Sequence, residues 1–134
     1  MLEKTKIAVI GAGKLGEALI GGLIDAGVVK KQQFIATVAH RERLNLLQKK
    51  LGIETTLSNG EAVRKSQVIL LCVKPQVVGD VLRQVADDLT PQHLLISVAA
   101  SVTTKFMEGI LAKSVPVIRT MPNTPCLIRE GMTA

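Results

Sequence analysis

The chain has 134 residues, of which 47% are apolar and 1% aromatic, and its 17 lysines and arginines against 11 acidic residues give a net charge of +6. This is the size of one domain, and the apolar content is enough for a single core. The scarcity of aromatic side chains argues against a surface that stacks nucleic-acid bases, while the charge alone does not choose among nucleic acid, an anionic membrane and a phosphorylated small molecule.

The cysteines and the hydropathy pattern bear on the compartment. Cys72 lies inside an apolar run, as a buried thiol does, and its spacing from Cys126 matches neither a metal site nor a redox pair. No apolar stretch approaches the about 18 residues that a membrane span needs, and no signal-peptide pattern opens the chain. We therefore expect a cytoplasmic protein without a metal site and without membrane or nucleic-acid partners.

Strands and helices alternate along the first half of the sequence. The β-branched block at residues 6–10 predicts a strand that ends at glycine, and apolar residues at helical spacing follow it until Gly27. Residues 34–38 predict a second strand, and a leucine stripe predicts a helix that Gly52 ends. Residues 54–57 are a candidate third strand, after which Ser58 and Glu61 form a capping box that predicts a short helix.

The second half continues the same alternation. Residues 68–73 are uniformly apolar, as in a strand buried on both faces, and Pro75 ends them. Apolar positions from 78 to 89 predict a helix, residues 94–98 a strand, Thr103 or Thr104 the cap of another helix, and residues 116–120 the last strand. The chain is therefore predicted to be a single α/β domain, residues 1–134, with a Rossmann-type doubly wound, mainly parallel sheet and helices on both faces.

The turn between the first strand and the first helix carries a glycine motif. In "IGAGKLG", Gly11, Gly13 and Gly16 have G-x-G-x-x-G spacing. Gly11 allows the tight turn, Gly13 lets the backbone approach a pyrophosphate, and Gly16 lets the helix pack on the sheet. Because strand, turn and helix all fall where that mechanism needs them, the motif predicts dinucleotide binding.

The end of the second strand indicates which dinucleotide is bound. NAD-binding domains usually place an acidic residue there, on the ribose 2′-hydroxyl, whereas this chain has "TVAHRER" with no carboxylate before Glu42. Small residues followed by His40, Arg41 and Arg43 tolerate or pair with a 2′-phosphate, which favours NADPH over NADH. The alternative is that the arginines simply begin a solvated helix, and for Arg43 it has at least equal weight.

Other candidate residues follow the later strands. Open α/β sheets bind ligands beyond the carboxyl ends of their strands, so Lys74 is predicted to emerge beside the glycine turn, either to hold a phosphate or ribose or as an ordinary strand-end lysine. Asn59 either touches the nucleotide or caps a helix. The stretches "VAAS" (98–101) and "MPNTP" (121–125) reach the same edge. The proline loop is thus expected to face the nicotinamide end of the cofactor.

With these residues assembled, the chain resembles the nucleotide-binding half of pyrroline-5-carboxylate reductase. The shared stretches are "IGAGKLGEALIGGL", "VKPQ", "SVAAS" and "RTMPNTP…REGMTA", in the right order across essentially the whole chain. The resemblance implies reduction of the imine of 1-pyrroline-5-carboxylate to L-proline, with hydride transferred from NADPH, or from NADH as the less favoured cofactor. It also implies a cofactor site, made of Gly11, Ala12, Gly13, Lys14, Leu15 and Gly16 at the pyrophosphate, Ala39, His40 and Arg41 at the adenosine ribose, Asn59, Lys74 and Pro75 along the groove, and Ala99, Ala100, Pro122, Asn123 and Thr124 near the nicotinamide.

Three departures from the family pattern matter. Lys14-Leu15 stands where the family usually has Asn-Met, and Ser101 stands where it usually has glycine, so that loop loses glycine's access to positive φ. The resemblance also implies a second, helical domain that forms the dimer and much of the substrate pocket, and we expect it to be missing from residues 1–134. No residue is an obvious general acid or base, which hydride transfer to a protonated imine does not require.

Three hypotheses about function remain open. In the first, the chain is the cofactor half of a reductase that binds NADPH, acts on a small imino acid, turns over little alone and forms homo-oligomers through the missing domain. In the second, it is a stand-alone NADP(H)-binding module or sensor without chemistry, against which the intact proline loop argues. In the third, it belongs to another imine or β-hydroxyacid reductase, which would keep the glycine turn but not that loop.

Overall fold

A computed structural model describes residues 2–112, 114–122 and 133–134. Its described strands form one sheet in the order β3-β2-β1-β4-β5-β6, and every neighbouring pair is parallel. The strands are β1 (Ile7–Ile10), β2 (Phe34–Thr37), β3 (Glu54–Thr56), β4 (Val68–Leu71), β5 (Leu94–Ser97) and β6 (Val117–Arg119). The helices are α1 (Lys14–Asp25), α2 (Arg41–Leu51), α3 (Asn59–Arg64), α4 (Val78–Val85) and α5 (Thr104–Ile110), with short 3-10 turns at Lys31–Gln33 and Pro75–Val77.

The sheet is covered on both faces, as the uniformly apolar strands predict. Ala8 and Ile10 of β1 belong to an apolar cluster with α3, α4 and α5, whereas Ile7 and Val9 belong to a second cluster with α1 and α2. Alternate residues of a strand point to opposite faces, so both clusters draw on the same strands. This arrangement confirms the predicted doubly wound fold.

Two predicted details differ in the structure. The fourth helix ends at Val85 and not near residue 89, because the chain tightens into a turn in which Leu89 N–H still donates to Val85 carbonyl oxygen over 3.1 Å. Leu89 is fully buried, so its apolar position was correctly interpreted although the helix does not reach it.

The capping box at the start of α3 is only half formed. Ser58 Oγ accepts from Glu61 N–H at 3.1 Å, but Ser58 N–H donates to Thr56 Oγ1 rather than to Glu61. The Glu61 carboxylate instead accepts hydrogen bonds from Thr56 Oγ1 and Lys65 Nζ, at 2.8 and 2.9 Å. The contact with Lys65 is the main cause that lowers the pKa of Glu61. At α5 the cap is Thr103, whose Oγ1 accepts from the N–H of Phe106.

Candidate functional site

The order of the strands creates a crevice at the carboxyl ends of β1 and β4. The chain leaves β1 toward β2 on one side and leaves β4 toward β5 on the other, so the connections that follow these two neighbouring strands diverge. Ligands of doubly wound sheets bind at such a point. The glycine turn follows β1 directly and forms one wall of this crevice.

The three glycines of the turn meet three different surroundings. Gly11 has φ +78°, and a Cβ on it would stand 2.4 Å from Val73 Cγ1. A Cβ on Gly16 would stand 3.3 Å from Val9 Cγ1, so this glycine permits close packing of α1 on the sheet. Around Gly13, by contrast, no atom of the described chain lies within 4 Å of such a Cβ. The backbone at Gly13 therefore borders open space.

Thr37, at the end of β2, holds the glycine turn in place through two hydrogen bonds. Its side-chain Oγ1 accepts a hydrogen bond from Gly11 N–H at 3.1 Å, and its carbonyl oxygen accepts one from Ala12 N–H at 2.8 Å. Thr37 is 1% exposed. Sequence reasoning missed this role, although a hydroxyl residue ending a fully buried strand was a signal that could have shown it.

The first helix opens onto the crevice without a side-chain cap. Gly13 is its N-cap, and within the described chain no side chain accepts its first N–H groups, whereas Ser58 and Thr103 cap α3 and α5. Uncapped N–H groups and the helix dipole favour a negatively charged ligand. Open space at Gly13 and unused donors at Lys14 and Leu15 together fit a pyrophosphate.

A cleft of about 410 Å³ extends from this turn between the ends of β1, β2 and β4. Its walls are mainly apolar or backbone, with three basic side chains; the lining residues are Gly11, Ala12, Gly13, Val38, Ala39, His40, Arg43, Cys72, Val73, Lys74 and Val77. Burial raises the pKa of the Cys72 thiol to about 12, so that this wall carries a neutral thiol. The basic side chains in this lining are His40, Arg43 and Lys74.

The structure brings some of the sequence-derived candidates together in this cleft and leaves others outside it. Gly11, Ala12, Gly13, Ala39, His40 and Lys74 line the cleft. Arg41 and Pro75 are exposed and Gly16 is buried behind the turn, while the Asn59 amide donates to Gln84 Oε1 at 2.9 Å. Lys14, Leu15, Ala99, Ala100 and Pro122 do not line this cleft, and Asn123 and Thr124 lie outside the described residues. The role of each of these residues at a cofactor, whether or not it lines the cleft, remains a prediction.

The loops expected at the nicotinamide end are tied to β5. Ser97, which is fully buried, accepts a hydrogen bond on Oγ from Ala99 N–H at 3.2 Å, and its carbonyl oxygen accepts one from Thr120 N–H at 2.8 Å. Ser101 has φ +61°, so the loop after β5 adopts the left-handed conformation even though serine stands there. Pro122 forms an antiparallel bridge with Thr133, so these two described segments lie side by side.

Arg43 lies in the cleft wall, although a solvated role had at least equal weight in the sequence analysis. Its Nη2 donates to Glu17 Oε2 of α1 at 2.5 Å, and its Nε donates to the Ala12 carbonyl oxygen at 3.4 Å. Lys50 forms a second ion pair with the same carboxylate. Hydrogen bonds from Lys50 and Arg43 lower the pKa of Glu17, against the opposite effect of its burial.

Two further features of the described residues bear on alternative sites. None of the helices there is long and apolar enough to cross a membrane. In the same part of the chain, no three histidine, cysteine or carboxylate side chains are grouped so as to hold a metal ion.

The strand order, the glycine turn and the uncapped α1 together define a Rossmann-type nucleotide-binding domain. Residues 6–101 match the family described as NADP oxidoreductase coenzyme F420-dependent, and the chain belongs to that family. The resemblance to the dinucleotide-binding domain of pyrroline-5-carboxylate reductases is thereby confirmed, since 98% of this chain is similar to about half the length of such enzymes.

Three relatives illustrate the extent of this similarity. Pyrroline-5-carboxylate reductase 3 of Mus musculus is 37% identical over 98% of this chain and 47% of its own length. The structure of a pyrroline-5-carboxylate reductase from Coxiella burnetii superimposes with a TM-score of 0.92 at 32% identity, over 98% of this chain and 48% of that one. The pyrroline carboxylate reductase of Plasmodium falciparum, solved with NADP bound, gives a TM-score of 0.84 at 29% identity, over 98% and 47% of the two chains. The chain thus spans about half the length of these relatives.

Proposed function

We propose that residues 1–134 form the NADPH-binding part of an enzyme that reduces 1-pyrroline-5-carboxylate to L-proline. The observation that carries the proposal is the open space at Gly13 in front of the uncapped α1, in a chain similar along its whole length to pyrroline-5-carboxylate reductases. The NADP-bound Plasmodium falciparum relative supports NADPH as the cofactor. A cytoplasmic location and homo-oligomerisation remain part of the same hypothesis.

The residues of the chain would hold the cofactor from the pyrophosphate outward. Backbone N–H groups of Lys14 and Leu15 would bind the pyrophosphate, and the shape of that cradle is set by the two hydrogen bonds from the turn to Thr37. His40 and Arg43 would lie at the adenosine ribose, and Lys74 on the opposite wall of the cleft. None of the described residues that line the cleft carries a carboxylate, which favours a phosphorylated ribose.

Reduction of the imine requires the protein to position the reactants more than to transfer a proton. When bound, NADPH supplies the hydride that reduces the imine carbon. A protonated imine already carries the proton that the product amine needs, so the chain has to orient the reactants and exclude water. The hydrogen bonds that fix Ala99 and Thr120 to Ser97 would hold the loops at that end of the cleft.

Two measurements test this function. Calorimetric titration of the chain with NADPH and NADH should show binding of both, with NADPH tighter. The rate of NADPH oxidation with the imine substrate should be very low for residues 1–134 and substantial when they are joined to the C-terminal half of the Coxiella burnetii relative. A joined protein that binds NADPH but reduces no imine would contradict the reductase assignment and favour a binding module.

A further inference from the structure

Arg43, in the first turn of α2, is held in place by side-chain contacts across the cleft wall. Its guanidinium bridges α2 to two parts of the opposite wall, the Ala12 carbonyl oxygen and the Glu17 carboxylate. Its side chain is 34% exposed, and it lines the cleft beside Gly13 and His40. Arg41, two positions earlier, is exposed and does not line the cleft. Within the described residues, Arg43 is therefore better placed than Arg41 to meet a ligand there.

Glu17 is the partner that holds Arg43. Its side chain is 15% exposed and binds both Arg43, in the first turn of α2, and Lys50, in the last. One carboxylate facing two cations leaves this three-residue group with a net charge of +1. The neighbourhood of Arg43 therefore stays attractive to an anion although a carboxylate contacts it.

The guanidinium keeps donors for a second ligand. Its five N–H groups are arranged in a planar fork, and the two contacts described use Nε and one hydrogen of Nη2. The remaining donors can bind a phosphate, and a guanidinium already fixed by Glu17 loses less side-chain entropy when it does so. A flexible arginine would lose that entropy on binding.

We infer that Glu17 is a positioning residue that acts through Arg43, and that this pair sets the preference of the cleft for a dinucleotide phosphorylated on the adenosine ribose. The inference rests on the proposed function, because it concerns the same cofactor site. It assigns the discrimination to a contact between α1 and α2, whereas the sequence had indicated His40, Arg41 and Arg43 without that contact.

The test compares dissociation constants for NADPH and NADH in single and double variants. Arg43→Ala should weaken NADPH by about tenfold or more and change NADH by less than about twofold, since the lost contact is to the extra phosphate. Glu17→Ala should weaken NADPH by roughly three- to fivefold, again with little change for NADH. In the double variant the loss should equal that of Arg43→Ala alone, as expected when one residue acts through the other.

Matched controls separate positioning from a general effect of ion pairs. Asp88→Ala removes the 2.9 Å ion pair with Arg64, which does not line the cleft, and should leave both dissociation constants unchanged. Lys50→Ala removes a cation from Glu17 but keeps Arg43 in contact with it, and should not alter the NADPH to NADH ratio by more than about twofold. Thermal unfolding of every variant confirms that it is folded at the temperature of the titration.

Each other outcome has a definite meaning. Tighter NADPH binding by Glu17→Ala would show that Glu17 competes with the phosphate, and equal weakening of NADPH and NADH would show a merely structural role; either result overturns the inference. Additive losses in the double variant would overturn it as well. If the unaltered chain binds neither cofactor, the proposed function fails and the inference fails with it. If it binds both cofactors and the ratio of their dissociation constants does not change in the Glu17 and Arg43 variants, only the inference fails.

Discussion

Gly11 and Val73 pack so closely that no side chain fits between them: a Cβ on Gly11 would lie 2.4 Å from Val73 Cγ1 and 3.2 Å from the Val73 backbone. Gly11 also has φ +78°. Gly11→Ala should therefore lower the free energy of unfolding by roughly 2–5 kcal/mol. This is the sum of the cost of an alanine in the left-handed conformation and the cost of overpacking against Val73. Urea denaturation measures this change.

The control for Gly11 lies in the next helix. Gly22→Ala adds a methyl group where no described atom lies within 4 Å, in the interior of α1, and should stabilise the protein by about 0.5–1 kcal/mol. Equal effects of the two substitutions would contradict the role assigned to the contact with Val73.

Gly13→Ala should separate binding from folding. The new methyl group would meet no protein atom within 4 Å but would occupy the space in front of α1. We expect a change of about 1 kcal/mol or less in the free energy of unfolding and a rise of at least about tenfold in the dissociation constants of both NADPH and NADH. Calorimetry and denaturation on the same preparation measure both. Unchanged cofactor affinity would show that the pyrophosphate does not lie against Gly13.

Ser101 holds a conformation that glycine adopts more easily. At φ +61° a Cβ is unfavourable, so Ser101→Gly should raise the free energy of unfolding by about 1 kcal/mol. Part of this gain is offset because glycine makes the unfolded chain more flexible. Ser101→Ala keeps the Cβ and should give no such gain. The expectation that serine would forgo positive φ here was wrong for this chain. If Ser101→Ala stabilised the protein as much as Ser101→Gly, backbone strain would not be the cause of the stabilisation.

The Cys72 thiol should react slowly although it borders the cleft. Burial raises its pKa to about 12, so at neutral pH its thiolate fraction is smaller than that of an ordinary cysteine by about three orders of magnitude. In a Cys126→Ser background, alkylation by iodoacetamide at pH 7.5 should run at least about a hundredfold slower than that of glutathione. Addition of NADPH should slow it further. Labelling as fast as that of glutathione would place the thiol in solvent.

Glu17 should make the stability depend on acid pH. Its pKa is lowered in the folded state, chiefly by the hydrogen bond with Lys50, so its contribution is present above the ordinary value of 4.5 and is lost as the pH falls through the lowered pKa. At pH 7, Glu17→Gln should lower the free energy of unfolding by roughly 1–2 kcal/mol, and at about pH 3 the difference should shrink. A gap that stays constant with pH would rule out the ion pairs as its source.

Much of the fold could be predicted because local signals agreed with one another. Glycines at positions 11, 27 and 52 have positive φ and end elements where the sequence indicated, and uniformly apolar strands predicted a sheet covered on both faces. The end of α4 was not predictable, since it depends on the turn that the chain makes after Val85. The reciprocal half of the Ser58 cap was not predictable either, since it depends on competing contacts. The Glu61 carboxylate has Lys65 and Thr56 within reach, and only the folded chain shows that they win.

The candidate site was predictable in its backbone and less so in its side chains. The spacing of the glycines determines where the chain bends, so Gly11 and Gly13 were identified directly. Arg43 and Glu17 are 26 positions apart, and their contact depends on how α1 and α2 pack. Thr37 was missed for the same reason, because its hydroxyl serves a turn that is distant in sequence.

The central position of β1, the strand that leads into the glycine turn, affects how the domain responds to its ligands. β1 is hydrogen-bonded on both sides, to β2 and β4, and its four residues are at most 5% exposed. Displacing it would break two ladders at once, so the cradle that follows it is rigid before any ligand arrives. Movements that accommodate different occupants must then originate at the periphery, where β6 has a single neighbour in the described sheet.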